Sequence, residues 1–381
     1  MSARVGGVGG IDAGSMSSSK SGFFRRHAAR FLGSLVLTVC VLWALKHTGL
    51  ELVPSWAEFR LVKWWTVPVY FLSLAAMSYY RGVRWRFLLR KAAPHVKKNR
   101  LLAISLVGFA GILLLPFRLG EFVRPALLRE KGKVSFSAAT GSIISERAVD
   151  GLFLSLVLAI ALLVVPTVQP MPKYVVGLPV TVTQVRAYGF FTLAGFTAVF
   201  VVLAAYFFAR DFAKRATLAV FGVVSRPLAE RLAGEAERLA HGLDFLRDGP
   251  AAAGFLWETT LYWFFNAFGM WLLAIGCGLT HGNATSPTFW EACAIMGMLG
   301  VSVLIPGPPG ALGIFQAGIF CGITMYYPVE IVKERGPVYA CLMFLVQSVF
   351  ITGSGAAALL SGHTSLKSIA EEENEDDKLG P

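Results

Sequence analysis

The chain has 381 residues, of which 55 % are hydrophobic and only 15 % charged, where soluble domains carry about a quarter charged. So few charges, with a mean hydropathy of +0.61, cannot cover a globular surface of this size. They exclude a cytosolic enzyme, a secreted disulfide scaffold and a disordered regulator, and predict an all-α polytopic membrane protein.

Residues 1–22 are rich in Gly and Ser and are read as a disordered N-terminus. Arg25, Arg26 and Arg30 precede an apolar run at 31–45 with no small-x-small cleavage site, which predicts a retained signal-anchor helix. Further apolar runs fall at 64–80, 101–116, 143–166, 187–209, 253–279, 289–306, 310–327 and 337–361. Residues 23–361 thus read as one integral membrane domain, followed by an acidic tail, 362–381.

The net charge of +12 is concentrated. Between Arg81 and Arg100 lie eight basic residues and no acid. Placed between apolar runs, they read as a topology signal and an attraction to anionic headgroups; no nucleic-acid module accompanies them. This puts both termini, and the Arg-rich segment 210–250, in the cytoplasm, and a bacterial inner membrane fits the bias. The five cysteines lie in apolar runs without CxxC spacing and read as buried small hydrophobes. No metal site, cofactor or nucleotide loop is indicated.

Two regions do not fit simple spanning. Residues 101–115 would give roughly 22 Å of helix where a bilayer core needs about 30 Å, and they end at Pro116. The segment 305–310 breaks the long apolar stretch 289–327 with Pro306, Gly307, Pro308 and Pro309. The two breaks share P-x-x-L-G: Pro116 to Gly120, and Pro309-Gly310-Ala311-Leu312-Gly313. Paired interrupted segments in the two halves point to an inverted repeat with a site near the midplane; two unrelated kinks are the simpler alternative. The architecture expected is about six spanning helices plus two broken or re-entrant hairpins.

Charges within a bilayer cost about 2.5–3.5 kcal/mol each on insertion scales and normally face a cavity or a partner. Arg118, Glu121 and Arg124 recur every three positions; Glu146, Arg147 and Asp150 occupy the start of the 143–166 run. Arginines can grip a phosphate in bidentate fashion while the carboxylates orient them, or take a cation or proton. Alternatively, these charges snorkel to headgroups and pin helix ends. Glu258 and Asn266 are further polar groups in the 253–279 run.

The stretches Arg118-Leu119-Gly120-Glu121-Phe122-Val123-Arg124, Glu146-Arg147-Ala148-Val149-Asp150 and Pro309-Gly310-Ala311-Leu312-Gly313 resemble, in order and context, the family of the transmembrane region of lysylphosphatidylglycerol synthase, also called the flippase-like domain family. The resemblance covers residues 30–360. It implies an integral membrane domain that moves a lipid between leaflets, here in a stand-alone form without the soluble aminoacyltransferase domain. The family's acid after the second glycine motif is replaced by Gln316. The function expected is translocation of a lipid or lipid-linked headgroup, an anionic phospholipid or a polyprenyl-linked lipid being the partner. Arg118, Glu121, Arg124, Glu146, Arg147 and Asp150 would bind the headgroup; Pro116, Gly120, Pro309, Gly310, Gly313 and Gln316 would form the hairpin breaks. The alternatives are a membrane-embedded headgroup transferase and a non-transporting partner of a cell-envelope assembly system, although no catalytic motif marks an enzyme.

Overall fold

A computed structural model describes residues 54–361, apart from 91–92, 95, 116–119, 133–135, 176–177, 179, 224, 242–246 and 306–308, together with Val36, Val39, Cys40 and Trp43. Within the described residues the protein is all-α. A short α1 (Trp56–Phe59) leads into α2 (Thr66–Val83), α3 (Trp85–Leu88), α4 (Lys98–Leu114), α5 (Val123–Gly132) and α6 (Phe136–Val164). These are followed by α7 (Val182–Phe208), α8 (Arg210–Gly222), α9 (Arg226–His241), α10 (Gly249–Gly276), α11 (Phe289–Val303), α12 (Ile314–Ile323) and α13 (Val329–Leu360). The basic segment after residue 209 is therefore helical.

Among the described residues three helices are long and apolar enough to cross a membrane: Ala139–Val164, Val182–Phe208 and Val329–Leu360. At 26, 27 and 32 residues they exceed the roughly 20 needed to span. The 28-residue α10 is about 42 Å long and also exceeds that length. The chain is an all-α polytopic integral membrane protein. Helix starts follow their local chemistry. Thr181 and Gln184 form a reciprocal capping box on α7, Thr288 and Glu291 another on α11, and Asp248 caps α10 ahead of Pro250. Of the cysteines, Cys277 and Cys293 are buried as expected, whereas Cys40 is exposed.

Between α2 and α10 the packing is intimate because small residues let the helices approach. A Cβ on Gly276 would lie 1.9 Å from Thr66 Oγ1, and one on Gly269 2.0 Å from Ser73 Oγ. The two helices are antiparallel: Thr66 sits at Gly276, and Arg84, just past the end of α2, reaches Thr259.

The segments on either side of each break pack against each other. A Cβ on Gly120 would fall 2.0 Å from the Gly111 carbonyl carbon, so the start of the α5 arm lies directly on the α4 backbone. At the second break a Cβ on Gly322 would come 2.8 Å from Ile295 Cα, which brings α12 against α11 in the same way. Gly310 (φ 69°) and Gly313 (φ 85°) hold the left-handed backbone of that turn. The tips of the two hairpins approach each other: the Cβ position of Gly310 is 3.6 Å from Leu113 Cδ1, at the end of α4.

Helix boundaries repeat at an almost constant offset. Val83 and Gly276, which end α2 and α10, are 193 positions apart, as are Phe136 and Val329, which begin α6 and α13. Lys98 and Phe289, and Val123 and Ile314, are each 191 apart. Packing is reciprocal too: α4 lies on α13, with Ala110 against Gly355, and α11 lies on α6, with Leu158 against Gly297. Because the equivalent helices α2 and α10 run antiparallel, the two halves are inverted relative to each other. Helices α7–α9 lie between the halves and have no counterpart in the first half among the described residues.

Candidate functional site

A buried charge cluster forms where α2, α5, α6 and α10 meet. Glu146 and Asp150, one turn apart on α6, face the same way, and Arg84 at the α2–α3 junction bridges them. Arg84 Nη2 donates to Glu146 Oε1 at 3.2 Å and to Asp150 Oδ2 at 2.6 Å, while Nη1 donates to Thr259 Oγ1 at 3.0 Å. Arg124 Nη1 donates to Glu146 Oε2 at 3.1 Å, and Arg147 Nη2 to Glu146 Oε1 at 2.9 Å. One fully buried carboxylate thus receives three guanidinium groups.

Neighbouring residues shape this arrangement. Gly108 on α4 opens the space across which Arg124 lies; a Cβ there would be 2.3 Å from Arg124 Cγ. Arg124 Cζ stacks 4.2 Å from the Trp85 ring, whose Nε1 donates to Ser142 Oγ on α6 at 2.9 Å. Arg84 Cζ lies 4.8 Å from the Tyr262 ring, and Arg81 Cζ lies 4.2 Å from that of Phe109. Such cation–π contacts strengthen when desolvated. A cavity of about 560 Å³ adjoins the cluster. Glu121, Arg147, Asp150 and Tyr262 are among its polar lining residues; Leu154 and Phe196 contribute to its apolar wall. A few charged and polar groups in an otherwise apolar cavity suit an amphiphilic ligand.

Several polar atoms here are buried with no hydrogen-bond partner among the described residues: Arg124 Nε and Nη2, Nε of Arg81, Arg84 and Arg147, Asp150 Oδ1 and Trp263 Nε1. Buried polar atoms are normally satisfied, so the cluster retains unused donors and an unused acceptor.

A family model for the lysylphosphatidylglycerol synthase TM region matches residues 30–355. The chain belongs to this family. No curated protein and no solved structure matches it.

Within this TM-region fold, Arg124, Glu146, Arg147 and Asp150 come together as ion-paired neighbours, and Glu121 joins Arg147 and Asp150 along the cavity. Arg118 and Pro116 lie outside the described residues. Pro309, Gly310, Gly313 and Gln316 belong to the second break rather than to the charge cluster. There Gln316 Oε1 accepts the Gly313 N–H at 2.7 Å and caps the start of α12.

Sequence reasoning missed Arg81 and Arg84. It assigned both to a basic interfacial patch, yet Arg84 is fully buried. The carboxylate partners of Arg84 lie more than sixty positions away in sequence, so no local pattern links them; the one clue is that both arginines close an apolar run. Glu258, a further polar group of the 253–279 run, is largely buried and pairs with Arg86 at 2.6 Å. Because the Arg86 side chain is 35 % exposed, Arg86→Ala is expected to cost no more than about 1 kcal/mol of stability, read as a small shift of the melting midpoint in detergent.

The repeat is asymmetric in chemistry. The positions 193 residues beyond Arg84, Glu146 and Asp150 are Cys277, Tyr339 and Met343, all buried. The first half keeps charges where the second half is packed with uncharged side chains.

Proposed function

We propose that the protein translocates a lipid headgroup across the bilayer, with the acyl chains remaining in the membrane. The observation that carries this reading is the buried cluster of arginines and carboxylates opening onto a largely apolar cavity. Charges at membrane depth are costly, and their retention marks a pathway or a binding site. The inverted halves and their meeting hairpin tips support the same reading, since transporter sites sit at such repeat interfaces.

In this scheme the two hairpins enter from opposite sides, the first from the cytoplasm. Arg118, Arg124 and Arg147 engage the phosphate, and Glu121, Glu146 and Asp150 hold the arginines or titrate. An anionic phospholipid or a polyprenyl-linked lipid is the class expected. Movement is facilitated or ion-coupled. Both termini are placed in the cytoplasm of a bacterial inner membrane.

The test is leaflet accessibility of a headgroup-labelled lipid in proteoliposomes. Wild type is expected to move the label, whereas Arg118→Ala and Glu121→Ala should fall to the protein-free rate while still inserting into the vesicles. Movement by both variants at the wild-type rate would remove these residues from the pathway.

A further inference from the structure

We infer that α8 is an interfacial helix whose outward face is seated in the hydrocarbon edge of the leaflet at which α7 ends, so that the partner of this surface is lipid. That leaflet is the cytoplasmic one in the topology proposed above. The inference concerns the Arg-rich segment after α7, which the translocation scheme does not use, and it stands whether or not the protein moves a lipid.

The polarity of α8 is inside out for an element that faces water. Arg210 and Lys214 turn toward α9, where both pair with Glu237, Lys214 at 3.9 Å. Ala213 is buried in one cluster with Tyr206 of α7 and Ala233 of α9. The side away from these contacts carries Phe212, Ala216, Ala219 and Val223, spaced i, i+4, i+7 and i+11 as on a single helix face. Phe212 is 66 % and Val223 87 % exposed, and Val223 keeps the helical backbone as the C-cap residue. Val220, beside this stripe, is also exposed. Arg215 flanks it, with Nε donating to the Asp211 carbonyl at 3.2 Å; a long basic stem can lie along apolar surface while its head reaches the polar boundary. An exposed apolar stripe of this kind marks a contact surface, and a short helix with one apolar and one charged face is suited to lie in the plane of a bilayer interface.

The fold supplies the occupant. Only Ala209 separates α8 from α7, a membrane span that is little buried within the protein and therefore surrounded by lipid. Tyr206 Oη donates to Thr217 Oγ1 at 2.8 Å across eleven positions; on a straight helix they would be about 16 Å apart. The chain thus turns at Ala209, and α8 comes back beside the end of α7 instead of running on into water. The apolar stripe is continuous with the lipid-facing surface of α7. Through α9, which packs on α6 and α7, this anchored hairpin braces two of the helices that line the cavity.

The experiment uses the wild-type full chain in proteoliposomes. One sample is photolysed with an apolar aryl diazirine that partitions into hydrocarbon, and a second is exposed to hydroxyl radicals generated on both sides of the membrane; adducts are located by peptide mass spectrometry. Leu72 of α2 and Phe191 of α7, both exposed on the membrane helices, calibrate contact with lipid, and Arg226 and Glu230 on the charged surface of α9 calibrate contact with water. Diazirine adducts on Phe212, Ala219 and Val223 are expected at about five times the yield on Arg226 and Glu230, with hydroxyl-radical adducts suppressed to the level of Phe191. Hydroxyl-radical labelling of the stripe as strong as that of Glu230, without diazirine adducts, would overturn the inference. Diazirine adducts that appear only when the protein is diluted in lipid, together with crosslinks between copies at high density, would make the occupant a second chain and overturn it too. Lipid transport that fails while the stripe labels as expected would defeat the translocator reading alone; transport with a water-exposed stripe would do the reverse.

Discussion

Glu146→Gln is expected to destabilise the protein by about 3–5 kcal/mol, the cost of leaving buried charges without their counter-ion. Three guanidinium groups converge on this carboxylate, and its side chain is 0 % exposed. The neutral amide keeps the shape but removes the charge that holds Arg84, Arg124 and Arg147 together, and it points an N–H group toward donors. The variant should lose most of its monodisperse peak in detergent, or melt well below wild type. Adding Arg124→Met to Glu146→Gln should recover part of the loss, because it removes one of the stranded cations; residues sharing a network are coupled in this way. Asp150→Asn should cost less, since Glu146 would still balance Arg84 and Arg147. A Glu146→Gln protein that melts with wild type would mean that the carboxylate does not organise the cluster.

Gly120→Ala is the second large effect, expected to cost about 3 kcal/mol, the upper end for overpacking. An added methyl would sit 2.0 Å from the Gly111 carbonyl carbon and 2.1 Å from the Ile112 nitrogen. Both are backbone atoms and cannot rotate aside as a side chain would, so α4 and the α5 arm must separate. Arg124, a few residues later, would then withdraw from Glu146, and headgroup binding should fall with stability. Gly141→Ala on α6 is the control: nothing lies within 4 Å of its Cβ position, and relief of the glycine entropy cost should make it neutral or stabilising by about 0.5–1 kcal/mol. Equal melting midpoints for the two variants would show that the hairpin does not close at Gly120.

The hydropathy pattern alone placed the apolar helices, because a segment that must satisfy its backbone within lipid has one solution, a helix. The expected runs at 143–166 and 187–209 correspond to α6 and α7, and those at 253–279 and 289–306 to α10 and α11. Among the described residues length and composition mark three helices as clear spans, beside several shorter apolar helices. The P-x-x-L-G pair gave the offset of 193, which recurs in helix boundaries far from either motif. Half of the charge cluster was also legible: Glu146, Arg147 and Asp150 sit where an apolar run should contain no charge.

The other half was not legible. Arg81 and Arg84 belong to a basic patch whose composition matches an interfacial anchor. Only the antiparallel contact of α2 with α10, and the approach of α6 from more than sixty positions away, turns them inward. Side-chain chemistry and local periodicity are properties of the chain, so the sequence by itself determined the membrane class, the positions of the helices and their breaks, and the unusual acids of α6. Which arginine meets which carboxylate depends on distances between segments that pack at glycines such as Gly108 and Gly269. That pairing was decided by the tertiary structure alone.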